Sequence, residues 1–169
     1  MKIFFAIISL LIALGSFGQD KKYDCFKRNN FTFKQRLNNY PFNITKSVML
    51  ISFEDTSNYL PLKTSPFSKF KETKSLNSVQ IDSLTNLLYN FGVKGSTFKY
   101  TPAACYVPRN AILFLNSKGK VFEFIEICFE CHRTRVSSKR IDDGISCNQK
   151  FNILKSYFIR QGIKYGTTD

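Results

Sequence analysis

Ala111–Asn116 (AILFLN) and Val121–Cys128 (VFEFIEIC), joined by Ser117–Lys120 (SKGK), decide the fold of this 169-residue chain. Two runs of β-branched, aromatic and aliphatic residues around a short polar link with a glycine are the signature of a β-hairpin. Centring the turn on Lys118 and Gly119 sets Asn116 opposite Val121, Leu113 opposite Phe124, Ala111 opposite Glu126 and Arg109 opposite Cys128. Strand side chains alternate between faces, so Arg109, Ala111, Leu113 and Leu115 share a face with Phe122, Phe124, Glu126 and Cys128. The other face carries Ile112, Phe114, Val121, Glu123, Ile125 and Ile127. Both faces are apolar near the turn, which places the hairpin inside a sheet.

Towards the N-terminus, Thr45–Phe53 (TKSVMLISF) reads as another strand, with Val48-Met49-Leu50-Ile51 in the core. Asp55–Lys74, with Pro61 and Pro66 among serines, threonines and lysines, reads as loop. A helix follows: Asn77 or Ser78 caps it, Ile81, Leu84, Leu88 and Phe91 fall at helical spacing, and Gly92 ends it. Beyond the hairpin, Arg133–Gly144 is polar and reads as loop. A second amphipathic helix over about 148–160 sets Phe151, Leu154 and Phe158 on one face, with Gly162 past its end. Ile163-Lys164-Tyr165 could add an edge strand. The expected fold is α+β: a small, mainly antiparallel sheet with a central hairpin at about 111–128, covered by amphipathic helices at about 78–91 and 148–160.

Met1-Lys2 followed by the apolar run Ile3–Leu14 and the small residues of Gly15-Ser16-Phe17-Gly18 has the form of a secretory signal peptide, with an apolar core too short to span a bilayer. Cleavage after Gly18 would leave residues 19–169 as a single domain in the periplasm, the outer envelope or the medium. No later run reaches membrane-spanning length.

Lysine and arginine number 25 against 12 acidic residues, a net charge of +13. The basic residues are scattered, with no basic helix and no aromatic-basic RNA-binding signature, which argues against nucleic acid. An exported surface of this charge suits anionic envelope polymers or lipid headgroups, and another exported protein is a further candidate partner.

Five cysteines follow the leader: Cys25, Cys105, Cys128, Cys131 and Cys147. Export makes disulfides the default use. Two bridges among Cys105, Cys128, Cys131 and Cys147 are expected, with Cys25, isolated near the mature N-terminus, as the spare. The hairpin register also gathers Arg109, Glu126 and Cys128 at its open end, with Cys131 three residues on. There Arg109 would pair diagonally with Glu126, and a guanidinium beside a thiol raises its reactivity.

Three sharper readings compete for the same residues. Cys128-Phe129-Glu130-Cys131-His132 is a C-x-x-C-H sequence, the attachment motif of c-type haem, with His132 as the iron ligand. Its position after a strand, its polar successors and the lack of a suitable distal Met count against haem. The four cysteines 105, 128, 131 and 147 could alternatively hold zinc, although only one C-x-x-C is present. A thioredoxin-like redox site would need a helix after Cys131, which Arg133–Gly144 does not offer. With one histidine and no Gly-x-Ser-x-Gly turn, hydrolase chemistry has little to stand on. The sequons at Asn30 and Asn43 matter only for a eukaryotic secretory protein.

Cys105-Tyr106-Val107-Pro108-Arg109-Asn110-Ala111-Ile112, the hairpin, Ile125–Cys131 (IEICFEC) and the ending Leu154–Phe158 with Gly162–Tyr165 resemble a group of small, exported, uncharacterised bacterial proteins. The resemblance spans roughly Leu76 to Tyr165. It implies a bacterial envelope or secreted location and brings no activity, cofactor or catalytic residue with it. The expected role is a binding or accessory module rather than an enzyme, a question the sequence leaves open, without a cofactor and with Cys105, Arg109, Glu126, Cys128 and Cys131 as its candidate site. A monohaem electron carrier is the alternative, and a thiol redox protein comes third.

Overall fold

The computed structural model describes residues 25–54, 62–93, 105–147 and 149–168. The leader reading at residues 1–18 lies outside them, as does the 55–61 part of the loop reading. The elements are β1 (Phe26–Lys27), α1 (Phe33–Leu37), β2 (Ser47–Ser52), β3 (Glu72–Ser75), α2 (Ser78–Asn90), β4 (Phe91–Gly92), β5 (Asn110–Leu115), β6 (Val121–Cys128), β7 (Arg133–Val136) and α3 (Lys150–Arg160). The fold is α+β, as the sequence predicts. One antiparallel sheet has the order β3-β2-β5-β6-β7, and β1 pairs with β4 in a second, two-stranded one. The β5–β6 hairpin sits centrally.

Each long helix is specified locally. At the start of α2, the Asn77 side chain accepts the Gln80 backbone N–H at 2.9 Å, and Gln80 reciprocates to the Asn77 N–H at 2.8 Å. This capping box satisfies two donors that the first turn leaves open. At the end of α3, Gly162 takes a left-handed φ of 90°. Its N–H bonds to the Ile159 carbonyl, and the Ile163 N–H to that of Phe158, closing a Schellman motif.

Helices α2 and α3 cover one face of the sheet. Leu84, Leu88, Phe151, Leu154, Tyr157 and Phe158 pack on Val48, Leu50, Ile112, Phe114, Ile125 and Ile127. The other face buries Ile51, Ala111, Leu113 and Phe124 beneath Phe53, Leu62 and Phe70.

The hairpin register holds from Asn110 to Phe114, with Ala111 opposite Glu126 and Leu113 opposite Phe124. It then shifts, and Leu115 pairs with Val121. The extra residue turns Phe122 towards the helix side and Val121 towards the opposite core, reversing the faces predicted for both. Two segments read as loop contain strand residues: β3 begins within 55–74 and ends at Ser75, and β7 lies within 133–144. Both are polar edge strands held by backbone pairing to β2 and β6, so neither shows an apolar alternation. Ile163–Tyr165 is not a strand. It crosses the end of the sheet as a strap, with the Lys164 and Tyr165 N–H groups donating to Glu72 Oε2 at 2.9 and 3.0 Å.

Candidate functional site

The open end of the β5–β6 hairpin assembles the predicted site residues with partners partly different from those expected. Glu126 lies in mid-sheet, 1% exposed. Its guanidinium partner is Arg135 on the neighbouring strand β7, directly across the ladder. Arg135 Nε donates to Oε2 at 2.6 Å and Nη2 to Oε1 at 2.9 Å, a bidentate fork. Tyr106 O–H adds a third bond to Oε2 at 2.7 Å. Burial first, and then this bond to the carboxylate, pushes the Tyr106 phenol well above its ordinary range.

The expected Arg109–Glu126 pair is therefore corrected. Arg109 sits at the strand end and reaches Glu130 instead, Nη1 to Oε1 at 3.2 Å. It also faces the Tyr165 ring of the strap, with its guanidinium carbon 6.0 Å from the centroid. The register placed β5 correctly, but with β7 read as loop it left Arg109 as the only cation in view of Glu126.

The cysteines are redistributed as well. Cys25 is bonded to Cys147, 122 residues away, so Cys25 is not the spare and Cys147 does not bridge to the hairpin. This bond also removes Cys147 from any four-thiolate zinc site. Among the described residues, no group of three or more His, Cys, Asp or Glu side chains is arranged to hold a metal ion. Cys105, Cys128 and Cys131 remain thiols. Cys128 ends β6, and the Phe129–His132 turn leads into β7, with the Cys131 N–H donating to Cys128 Sγ at 3.2 Å. His132 completes the turn at φ 48°. Cys128 and Cys131 are each 1% exposed, whereas Cys105 is exposed.

The three thiols form a chain. Cys105 and Cys131 perturb one another's titration, and Cys131 is joined to Cys128 through its backbone N–H. Cys131 is the main influence pushing the Cys105 thiol up, and burial does the same to Cys131.

His132 is exposed, and its imidazole stacks on Phe151 of α3, 5.2 Å between centroids and 12° from parallel. Sequence reasoning missed three members of this site: Tyr106, Arg135 and Tyr165. The alternation of Arg133 and Arg135 beside Glu126 was the available signal for a strand there.

Compared with models of protein families, with curated proteins and with solved structures, the chain matches none.

Proposed function

We propose that the protein is an exported, disulfide-braced, basic binding or accessory module of the bacterial envelope or exterior, with an anionic polymer as its ligand class. Export is read from the leader-like first 18 residues and from the resemblance of residues 76–165 to small exported bacterial proteins. The Cys25–Cys147 bond suits an oxidising compartment. No helix among the described residues is long and apolar enough to cross a membrane.

One observation carries the ligand class. Three cations at the hairpin's open end and the adjoining strap are laid on tyrosine rings: Arg133 on Tyr106 at 5.1 Å, Arg109 on Tyr165 at 6.0 Å and Lys71 on Tyr165 at 4.2 Å. A cation held on a ring loses less side-chain entropy when an anion arrives, so a pre-ordered basic ledge binds better than the same charges on free side chains. The interior polar groups of the site offer no comparable opening, since Glu126 is consumed by Arg135 and Tyr106.

The test is binding of fluorescent dextran sulfate, with uncharged dextran as control, across a salt series. Affinity should fall steeply with salt, and Arg109→Ala with Arg133→Ala should weaken it about fivefold per arginine, from about 1 kcal/mol per surface cation. Equal binding of both dextrans, or an unchanged affinity in the double variant, overturns the reading.

The haem alternative through Cys128, Cys131 and His132 has less support. Thioether attachment needs both sulfurs to reach vinyl groups and the imidazole to face the iron. Here both sulfurs are at 1% exposure and the imidazole lies flat on Phe151. A Soret band in protein produced in a host able to attach haem would revive it.

A further inference from the structure

Cys105, Cys131 and Cys128 form a connected set of sulfurs that the binding reading does not use. We propose that Cys105 and Cys131 are a reversible thiol–disulfide site: an external disulfide reacts at Cys105, and Cys131 closes a second intramolecular bridge beside Cys25–Cys147.

The order of events follows from exposure and contact. Among the three thiols only Cys105 is exposed, so a disulfide in solution meets it first. Cys131 lies in the turn that residues 106–109 are tied to, and it interacts with Cys105, while Cys128 lies one step further in, its Sγ accepting the Cys131 N–H at 3.2 Å. In the first step the Cys105 thiolate attacks one sulfur of RSSR, forming a mixed disulfide and releasing RS⁻. In the second the Cys131 thiolate attacks the Cys105 sulfur, and the second RS⁻ leaves. The two cysteine protons end on the two released thiols. Two protein thiols are thus oxidised by two electrons, and one RSSR is reduced to two RSH.

The second step is favoured because the two segments are already tied together. Arg109 Nη1 holds Glu130 at 3.2 Å, Tyr106 O–H holds Glu126 at 2.7 Å, and Arg133 lies over the Tyr106 ring. These ties run between residues 106–109 and the β6–β7 hairpin, starting one residue from Cys105 and flanking Cys131 at Glu130 and Arg133. Ring closure therefore starts from a high effective concentration and costs little chain entropy. The two sulfurs have to approach to about 2.05 Å, so the 105–109 segment moves towards the Phe129–His132 turn as the bond forms. That motion carries Arg109 and Tyr106 with it. The elevated thiols of Cys105 and Cys131 make the exchange slow at neutral pH and faster as pH rises.

The experiment equilibrates the purified protein with glutathione buffers of increasing oxidised fraction, quenches with acid, alkylates and maps cysteines by mass spectrometry without reduction. Alkylatable thiols should fall from three to one, with a Cys105–Cys131 linked peptide and Cys128 still alkylated. Cys105→Ser, at an exposed position, should abolish the bridge and keep both buried thiols reduced. A glutathione adduct persisting on Cys105 overturns the proposal, as does retention of all three thiols at the most oxidising ratio. A Cys128–Cys131 bridge that forms equally in Cys105→Ser also overturns it. None of these readouts depends on dextran sulfate binding.

Discussion

Arg135 grips the Glu126 carboxylate at both oxygens from the adjacent strand, Nε at 2.6 Å and Nη2 at 2.9 Å, while Glu126 itself is 1% exposed. A buried carboxylate is tolerated because its charge is paired and both its oxygens accept hydrogen bonds, and removing one partner leaves the other uncompensated. Arg135→Ala should therefore cost about 3–5 kcal/mol, far more than a surface ion pair. Arg109→Ala removes the exposed pair with Glu130 and the loose contact with the Tyr165 ring, and should cost about 0–1 kcal/mol. Urea unfolding of the two variants separates them, and equal midpoints would sink the assignment of Arg135 as the structural partner.

The Cys25–Cys147 bond joins residues 122 apart and ties the N-terminal strand β1 to the residues leading into α3. Neighbouring contacts follow the same line: the Cys25 N–H donates to Gln149 Oε1 at 2.8 Å, and the Val93 N–H to the Ser146 carbonyl at 3.2 Å. Closing so long a loop restricts the unfolded chain, so Cys25→Ser with Cys147→Ser should lose about 2–5 kcal/mol. The loss should equal that caused by reducing the wild-type protein. A wild-type melting curve unaffected by reductant would contradict it.

Helix α2 and the hairpin were readable from the sequence because their signals are local: a capping residue, helical spacing, and two apolar runs around a turn. The register remained readable up to Phe114, where the bulge at Phe122 breaks the simple alternation. Strands β3 and β7 were not readable, since Glu72–Ser75 and Arg133–Val136 bring backbone donors and acceptors to the sheet edges but no apolar face. The same blindness hid the partner of Glu126. The partner of Cys25 was hidden for another reason, because only the tertiary fold brings residue 25 beside residue 147. The candidate site was thus legible as a place in the chain, and its bonds were not.

Gly144 and Gly119 offer a matched pair. Both lie in the left-handed region, at φ 69° and 68°. A Cβ on Gly144 would fall 2.6 Å from the Leu88 carbonyl oxygen and 2.9 Å from its Cα, whereas one on Gly119 meets nothing within 4 Å. Gly119→Ala should carry only the conformational penalty of about 1–2 kcal/mol. Gly144→Ala adds a clash with the backbone of α2 and should be distinctly worse, with a lower melting temperature. Identical melting temperatures would mean that the 144 segment moves aside at no cost.

Lys150 gives the protein a pH dependence opposite in sign to that of its buried tyrosines. Its Nζ, on a fully buried side chain, donates to the carbonyls of Leu87, Leu88 and Phe91 at 2.5, 3.2 and 2.8 Å, at the C-terminal end of α2. Burial pushes the ammonium down to about 8 from 10.5. The folded protein therefore sheds this proton near pH 8 while the unfolded chain keeps it to about 10.5, so unfolding takes up a proton and stability rises across that window. Tyr89, Tyr106 and Tyr157 behave in reverse: burial raises all three phenols, so the folded state holds protons that the unfolded chain loses above about pH 10, and stability falls there. Lys150→Met should lose about 1–3 kcal/mol at pH 7, because three helix-end carbonyls lose their donor. Between pH 8 and 10 the wild-type protein should gain on the variant by up to about 1.4 kcal/mol per pH unit. Urea midpoints at pH 7, 8, 9 and 10 read both effects, and parallel profiles would show that the buried ammonium keeps an ordinary affinity for its proton.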